Sequence, residues 1–436
     1  MGESMDWSAL LDALADVLAE AGGEGWLVGG CLRDALLGIP VRDVDVALTG
    51  ELLPLAERLA HRSRLALARL GRGTIRLVRH DKPDVYLDLT QLRGGDILAD
   101  LARRDFTANA MALPLNSRAE WLALIRGDGG AMPSLIDPFD GRRDLSMRRL
   151  VAVGSETFRD DPGRLVRAAR LRARLGLLPD AETIRLAQEA APLLQSLSPD
   201  RRREEIALLL ALPQATDGVA LLDELGALSV LYPGLSGNVT VHALAILREL
   251  DRLMGFSSDG ATFPALQEWN QSNTRCVSLR LAAIIHARTE HDEDSPAPTP
   301  WRQAKTVLET DGDGERLQAA RVLFWKSGKD VETTADALLV VAACALTGND
   351  QERGMEIAAR ANALVEMYIH RREQVIPPPL LGGKDLMLAL GIPGGPMLGR
   401  LLRAVRLAQL ADEVSSREEA LELARSLNDI QPEAPE

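Results

Sequence analysis

Two aspartates stand two residues apart in a segment that alternates polar and apolar side chains. Asp43 and Asp45 lie within Val41–Leu48, so a β-strand there points both carboxylates to one face, about 6–7 Å apart along the chain. Mg²⁺ commonly takes one or two carboxylates and completes its octahedron with water and substrate phosphates. Such pairs also occur on solvated strand edges, so the residues around this motif decide its meaning.

A glycine pair precedes these aspartates at a predicted turn from strand to helix. Trp26–Val28 is predicted as a short strand, Gly29 and Gly30 make the turn, and Arg33 follows in the first helical turn. Backbone N–H groups at such a turn can hold a triphosphate. The sequence matches neither GxGxxG nor GxxxxGK[ST], which argues against a Rossmann site and a Walker-type ATPase.

Further polar residues follow at intervals that fit phosphoryl transfer. Asp88 lies on the predicted strand Val85–Leu89, where it could complete a two-metal site for in-line displacement. Arg103–Ala110 gathers charges, a cap-forming Thr and Asn109 before an apolar segment, and helix capping explains only part of that set. Asp137–Leu145 has the composition of a turn.

The elements that must position these residues form a small mixed α/β region, followed by helices. An amphipathic helix over residues 5–21 comes first, and three segments with period two predict the sheet: Val41–Leu48, Gly73–Val78 and Val85–Leu89. From about Glu156 onward strand signals disappear, and Leu/Ala/Arg-rich helices continue to the C-terminus. Polar or proline-containing stretches predict loops or boundaries at Ser257–Thr274, His291–Thr299 and Pro377–Pro379.

Length and composition restrict the class of protein. A chain of 436 residues predicts about three domains, and 46% hydrophobic with 26% charged residues is ordinary for a folded protein. No apolar run approaches the roughly 20 residues of a membrane span, and the N-terminus is acidic where a signal peptide would be basic. We therefore expect a cytoplasmic protein without membrane contact. Cys31, Cys276 and Cys344 lie far apart, which favours neither a zinc site nor disulfides.

The charge distribution points to a local basic segment. The net charge of −13 argues against a protein that coats nucleic acid over its whole surface. Residues 142–203 nevertheless contain fourteen Arg and no Lys, against eight Asp or Glu. Only five lysines occur in the whole chain, so Arg in place of Lys is one interpretation, but it does not explain why the arginines cluster in this segment.

The ordered strings GG-C-L-RD-x-L-L-G, D-V-D, RRDFTANA, DPFDGRRDL and DDPGRLVRAARL resemble the class II tRNA nucleotidyltransferase and bacterial poly(A) polymerase family. The resemblance covers residues 26–205 closely, including Arg201–Glu205, and extends more loosely through 228–235 to 383–399. It implies an α/β polymerase-β-like head followed by an all-α neck, body and tail. The implied boundaries are 1–145 for the catalytic head, 146–212 for the base-recognising neck, 213–376 for the body and 377–436 for a tRNA-binding tail.

The resemblance also implies roles for single residues. Asp43 and Asp45 correspond to metal ligands, with Mg²⁺ as the cofactor, and Asp88 to a third catalytic carboxylate. Gly30 and Arg33 correspond to triphosphate contacts, and Arg104 lies beside the sugar and phosphates. The full set of implied nucleotide-binding residues is Gly29, Gly30, Arg33, Arg104, Asn109, Asp161, Arg164, Arg167 and Arg170.

Asp161 and Arg164 correspond to the family's base-recognising pair. On one helix, residues i and i+3 share a face and could address adjacent groups of one base edge. Cytosine and adenine show an amino donor beside a ring-nitrogen acceptor, whereas uracil and guanine show a carbonyl beside an N–H, so an Asp and Arg pair selects C and A. The alternative is an ordinary salt bridge on a solvated helix. Asp160 stands where the family usually has Glu.

The helical body resembles family members that carry an HD-type phosphohydrolase module. His242 and His286 occur in the expected order, but Ala287 replaces the Asp that an HD metal pair needs, and His291–Asp294 lies in an acidic, proline-rich linker. We expect a scaffold that packs helices or guides RNA, in preference to a second active site.

The leading hypothesis is transfer of CMP, and possibly AMP, from CTP or ATP to the 3′ hydroxyl of tRNA by two-metal chemistry. Poly(A) polymerase is one alternative, although its usual basic tail is replaced by the acidic Asn428–Glu436. A catalytically inactive RNA- or nucleotide-binding protein is another, and the intact Asp43, Asp45 and Asp88 argue against it. The sequence does not indicate the oligomeric state.

The interval between Asp88 and Arg103 bears on which nucleotides are added. Family members that build the full CCA end usually hold a flexible loop here, which helps the site change from CTP to ATP. This interval has room for a glycine turn at Gly94–Gly95 and one helical turn. In the family, loss of the loop accompanies enzymes that stop after CC and leave the final A to a partner, so addition of CC alone is the hypothesis.

Overall fold

The computed structural model describes residues 7–70, 73–79, 82–125, 133–256, 263–269, 273–290, 299–327 and 331–429. The chain divides into two compact units, one formed by residues 1–209 and 217–233, the other by residues 210–216 and 234–436. Within the described residues, no helix is both long and apolar enough to cross a membrane. The predicted division into head, neck, body and tail stays a prediction.

In its described residues, the first unit contains eight strands and most of the short helices. Its strands are β1 (Gly25–Val28), β2 (Asp43–Leu48), β3 (Ala66–Leu70), β4 (Thr74–Arg79), β5 (Lys82–Gln91), β6 (Ala112–Pro114), β7 (Arg149–Leu150) and β8 (Leu178–Pro179). Its helices are α1 (Trp7–Glu20), α2 (Gly30–Leu36), α3 (Leu52–Ser63), α4 (Ile97–Leu101), α5 (Arg118–Ile125), α6 (Gly141–Ser146), α7 (Thr157–Asp160), α8 (Arg164–Leu175), α9 (Ala181–Ala190), α10 (Pro199–Leu210), α11 (Ala215–Glu224) and α12 (Leu228–Leu231). Short 3₁₀ helices cover Thr107–Asn109, Leu115–Ser117 and Ala191–Ser196.

Six of these strands form a mixed sheet in the order β3-β4-β5-β2-β1-β6. β2 and β5 run parallel, and the other neighbours are antiparallel. Alternation makes one face apolar, where Val44, Val46, Leu87 and Leu89 are fully buried. Helix α3 packs on β3, β4 and β5. The opposite face is left for polar side chains.

Most of the expected elements are confirmed, and three corrections follow. The strands β3 and β6 were not predicted: β3 is half exposed and lacks a clear alternation, and β6 has three residues. Strands were expected to end near Glu156, but the two-residue strand β8 lies beyond it and pairs in parallel with β7. The predicted loop at 257–274 contains a helix, Pro264–Trp269.

The second unit is helical. Its helices are α13 (Asn238–Leu253), α14 (Pro264–Trp269), α15 (Asn273–Glu290), α16 (Thr299–Glu309), α17 (Asp313–Ser327), α18 (Val331–Leu346), α19 (Gln351–His370), α20 (Arg372–Val375), α21 (Gly383–Leu390), α22 (Pro396–Leu410) and α23 (Arg417–Asp429). Pro377–Pro379 separates α20 from α21, as expected. Residues 291–298 of the predicted loop His291–Thr299 lie outside the described residues, and so do residues 430–436 of the acidic segment Asn428–Glu436.

A buried arginine anchors the segment 210–216 within this second unit. Arg280 in α15 has no exposed surface, and its Nε donates to Oδ1 of Asp251 at 2.8 Å. Its two terminal nitrogens donate to the carbonyls of Leu210, Leu212 and Pro213 at 2.5, 2.6 and 2.9 Å. A buried guanidinium needs acceptors on every side, and these groups provide them.

Candidate active site

The turn after β1 brings together three of the residues singled out from the sequence. Gly29 has φ +77° and ψ −138°, a conformation that glycine adopts most easily. A Cβ atom on Gly29 would lie 2.9 Å from Nη1 of Arg104 and 3.4 Å from Oδ2 of Asp45. Glycine therefore permits the turn, the guanidinium and the carboxylate to approach one another.

The paired aspartates occupy the polar face of β2. Val44 between them is fully buried, while Asp43 and Asp45 point to the other side. Burial, followed by the nearby charge of Asp43, raises the pKa of Asp45 from 3.8 to about 6. Two carboxylates whose negative charge is incompletely compensated suit a hard divalent cation. The donor set therefore fits Mg²⁺.

The third carboxylate, Asp88, is held by Arg76, which no sequence motif indicated. Nε and Nη2 of Arg76 donate to Oδ1 and Oδ2 of Asp88, both at 2.8 Å, and this hydrogen bonding raises the pKa of Arg76. The guanidinium stacks over the ring of Tyr86, 3.5 Å from its centroid. Within the described ranges, no group of three or more His, Cys, Asp or Glu side chains is placed to hold a metal ion. The role of Asp88 in catalysis stays a prediction.

Arg33 lies beneath the glycine turn and is buried. Its Nε and Nη2 donate to Oδ1 of Asp34 at 2.8 and 2.6 Å, and its Nη1 donates to Oδ1 of Asn109 at 2.7 Å. A Cβ atom on Gly30 would lie 3.3 Å from Arg33 Nη2. This arrangement supports the turn from below, and direct contact of Arg33 with a triphosphate stays a prediction.

The same hydrogen-bonded group continues to helix α8. Nδ2 of Asn109 donates to Oδ1 of Asp105 at 2.9 Å, and Nη1 of Arg167 donates to Oδ2 of Asp105 at 3.2 Å. Burial alone would raise the pKa of Asp105, but Arg167, Asn109 and the N–H of Phe106 together hold that pKa below its ordinary value. A second link joins Arg174 of α8 to Asp34 at 2.8 Å.

The structure corrects the expected geometry of Asp161 and Arg164. Asp161 precedes α8 and has an extended backbone, with φ −148° and ψ 97°, so the two residues do not share a helix face. Pro162 explains this difference, because a residue before proline is kept out of the helical region. The Asp161 carboxylate instead accepts from Nη2 of Arg201, which is 2.7 Å from each oxygen, and from the N–H of Gly163.

The arginines of α8 contact protein groups. Nη2 of Arg164 donates to the carbonyl of Arg103 at 2.7 Å, and its Nη1 donates to the carbonyls of Arg104 and Thr157 at 3.3 and 3.1 Å. Burial lowers the pKa of Arg164. Arg170 pairs with Glu205 at 3.0 Å. The predicted roles of these arginines in nucleotide binding remain predictions.

Sequence motifs did not indicate two residues that pair with site carboxylates: Arg76, which binds Asp88, and Arg201, which binds Asp161. Arg201 belongs to a motif that had already been matched, and three adjacent arginines gave no sign of which one would reach Asp161. Arg76 alternates with Ile75 and Leu77 on a strand, a pattern that places it on the polar face. Its partner could be identified only from the register of β4 with β5.

The short interval after the third carboxylate is confirmed. Strand β5 ends at Gln91, and α4 begins at Ile97. The Asp96 side chain caps this helix by accepting a hydrogen bond from the N–H of Ala99. Gly94 and Gly95 have φ angles of +83° and +100°. The interval is one glycine turn and one turn of helix.

The expected HD-like histidines lie on two helices that pack together, α13 and α15. His286 is buried, with its ring edge-on to Trp301 at 4.9 Å between centroids. His291–Asp294 lies outside the described residues. The scaffold role of this region stays a prediction.

Known proteins resemble this chain over nearly its full length. A family model described as the poly(A) polymerase head domain matches residues 25–151, and one described as a probable RNA- and SrmB-binding site of polymerase A matches residues 176–238. The CC-adding tRNA nucleotidyltransferase of Geobacter sulfurreducens is 31% identical over 95% of this chain and 94% of its own. The A-adding tRNA nucleotidyltransferase of Halalkalibacterium halodurans is 26% identical over 98% and 94%.

Solved structures show the same fold. A CCA-adding enzyme in complex with ATP superposes with a TM-score of 0.68 at 20% identity, covering 100% of this chain and 97% of that one. The expected polymerase-β-like α/β head, followed by a largely helical remainder, is thus confirmed. With a relative above 30% identity over almost the whole length, the chain belongs to the tRNA nucleotidyltransferase and poly(A) polymerase family and is a nucleotidyltransferase.

Proposed function

We propose that this protein adds CMP from CTP to the 3′ end of tRNA, as the first part of building or repairing the CCA terminus. The observation that supports the proposal is the convergence of Gly29, Asp45 and Arg104, in which a glycine turn and a guanidinium suited to phosphates lie beside the paired carboxylates. Names of relatives and structural neighbours support tRNA, CTP and ATP as substrates.

The chain's own groups bind and orient the substrates. Backbone N–H groups at Gly29 and Gly30 bind the triphosphate, and Arg104 lies beside it. Asp43 and Asp45 would hold Mg²⁺, which when bound supplies positive charge for the α-phosphate and the departing pyrophosphate. The RNA 3′ hydroxyl attacks in line with the leaving group, so no covalent intermediate with the protein is required.

Base selection is assigned to Asp161 and Arg164. The Asp161 carboxylate accepts from the amino group that cytosine and adenine share, while an Arg164 N–H donates to the adjacent ring nitrogen. Arg201 holds the Asp161 carboxylate in place, and the backbone carbonyls around Arg164 hold its guanidinium. Both side chains are thus fixed before the nucleotide arrives.

We further propose that addition stops after CC. The connection of β5 to α4 leaves no room for an extended loop between Gln91 and Ile97, and the Geobacter relative is a CC-adding enzyme. Addition of the full CCA is the second candidate, because relatives in Streptococcus pneumoniae at 26% identity are CCA-adding enzymes.

The test uses a tRNA that lacks its CCA end, incubated with CTP, with ATP, and with both, and product sizing at single-nucleotide resolution. We expect two added C residues and no further growth with ATP present. Conversion to full CCA would contradict the CC-only proposal, and so would addition of A alone to a CC-ended tRNA. Repeated addition of A would indicate a poly(A) polymerase, and no incorporation an inactive RNA-binding protein.

A further inference from the structure

The polar face of the sheet carries a cation beside its carboxylates. Partner residues on neighbouring strands point to the same side of a sheet, so Asp45, Asp88 and Arg76 form a row across β2, β5 and β4. Asp43 and Tyr86 form the adjacent row. Neither Arg76 nor Tyr86 has a role in the nucleotide contacts proposed above.

The direction of attack places the acceptor RNA on this side of the aspartates. The Gly29–Gly30 turn follows β1, which borders β2 on one side, whereas β5 and β4 extend from β2 on the other. With the triphosphate at the turn, in-line displacement requires the attacking hydroxyl on the side of the α-phosphate away from pyrophosphate. The last nucleotide of the RNA therefore lies over β5 and β4, beside Asp88 and Arg76.

An RNA phosphodiester needs a positive partner next to these carboxylates. Arg76 uses Nε and Nη2 for Asp88, and its side chain keeps 31% of its surface exposed. Its Nη1 has no hydrogen bond to any residue in the described part of the chain. Stacking on Tyr86 fixes the plane of the guanidinium and hence the direction of that nitrogen.

We propose that Arg76 forms the subsite for the 3′-terminal nucleotide of the acceptor RNA, with its Nη1 bound to the last phosphodiester and Tyr86 as the residue that positions it. This inference rests on the proposed function and assigns one end of its RNA substrate. The bidentate contact with Asp88 makes Arg76 both a brace for the third carboxylate and the local counter-charge for RNA.

The test measures binding without metal, by fluorescence anisotropy, of a tRNA that lacks its CCA end. Its last phosphodiester is either native or an uncharged methylphosphonate. Wild-type protein should lose about tenfold in affinity on the neutral linkage, as expected for one charge-assisted hydrogen bond. Arg76→Ala should bind both RNAs equally, at the weaker level. An equal loss in wild type and Arg76→Ala would overturn the subsite.

Arg69→Ala is the matched control. Arg69 is an exposed arginine on the neighbouring strand β3, and its pairing with Ile75 places it on the opposite face from Arg76. This variant should keep the full difference between native and neutral linkages. The slope of log Kd against log salt should fall by about 0.7–0.9 for Arg76→Ala and not for Arg69→Ala. Equal slopes in both variants would count against a phosphate contact.

Arg76→Lys covers the case in which Arg76→Ala fails to fold. Lysine keeps the charge but has a single nitrogen, so it cannot hold Asp88 bidentately and also reach the RNA. We expect a raised KM for tRNA, an unchanged KM for CTP and a reduced effect of the neutral linkage. A raised KM for CTP alone would place Arg76 on the nucleotide side and refute the subsite. Wild-type incorporation of CMP, measured alongside, tests the proposed function separately.

Discussion

Asp45, the proposed metal ligand, lowers the stability of the folded protein when its carboxyl group is ionised. Its pKa is raised from 3.8 to about 6, so ionisation is less favourable in the folded than in the unfolded protein. Stability of the metal-free protein therefore falls as pH rises from about 4 to about 6. Asp45→Asn should abolish incorporation and raise the melting temperature at pH 8, with the gain vanishing near pH 4. Melting curves of both proteins in EDTA check this, and turnover within tenfold of wild type would contradict the metal-ligand assignment.

Base choice and phosphate binding separate at two other residues. Asp161→Ala should relax discrimination and admit UTP or GTP, because in the proposed function its carboxylate addresses the base edge. Arg104→Ala should weaken all four nucleotides alike, because it lies at the glycine turn that we propose binds the triphosphate. The measurement is kcat/KM for each of the four NTPs. Unchanged discrimination in Asp161→Ala would mean that its pairing with Arg201 is structural only.

The attachment of helix α8 depends on Asp105. This buried carboxylate accepts from Asn109, Arg167 and its neighbour's N–H, and its pKa is lowered. The stabilisation is present at neutral pH and is lost as pH falls through the lowered pKa. Asp105→Asn should therefore lower the free energy of unfolding by about 1–3 kcal/mol at pH 7. Urea unfolding tests this against Asp160→Asn, an exposed control that should match wild type.

At the scale of elements, local sequence patterns predicted individual strands and helices but could not predict which residues pair across neighbouring strands. The alternation of Val44 and Val46 with two aspartates predicted β2 and its polar face, because burial on one side requires that pattern. The pairing of Asp88 with Arg76 depends on a register that no local pattern specifies. For Asp161, the spacing to Arg164 suggested a helix, although Pro162 in the sequence already argued against it.

Arg280 carries the largest stability prediction for the molecule as a whole. It is fully buried, and its removal takes away the donor that Oδ1 of Asp251 shares with the carbonyls of Leu210, Leu212 and Pro213. Arg280→Met should cost about 3–5 kcal/mol of unfolding free energy. Chemical denaturation followed by circular dichroism measures it. A loss below about 1 kcal/mol, the range of a solvent-exposed ion pair, would contradict a buried structural role for Arg280.

The segment 210–216, which Arg280 holds, makes the helical unit discontinuous along the sequence. The chain enters the second unit at Leu210, returns to the first at Asp217 and enters the second again at Gly234. A chimaera joined at residue 234 would take Arg280 from one relative and the Leu210, Leu212 and Pro213 carbonyls from the other, whereas a joint before Leu210 would carry residues 217–233 of the first unit along. Successful exchange of the helical unit therefore requires two grafts, residues 210–216 together with everything from residue 234 onward.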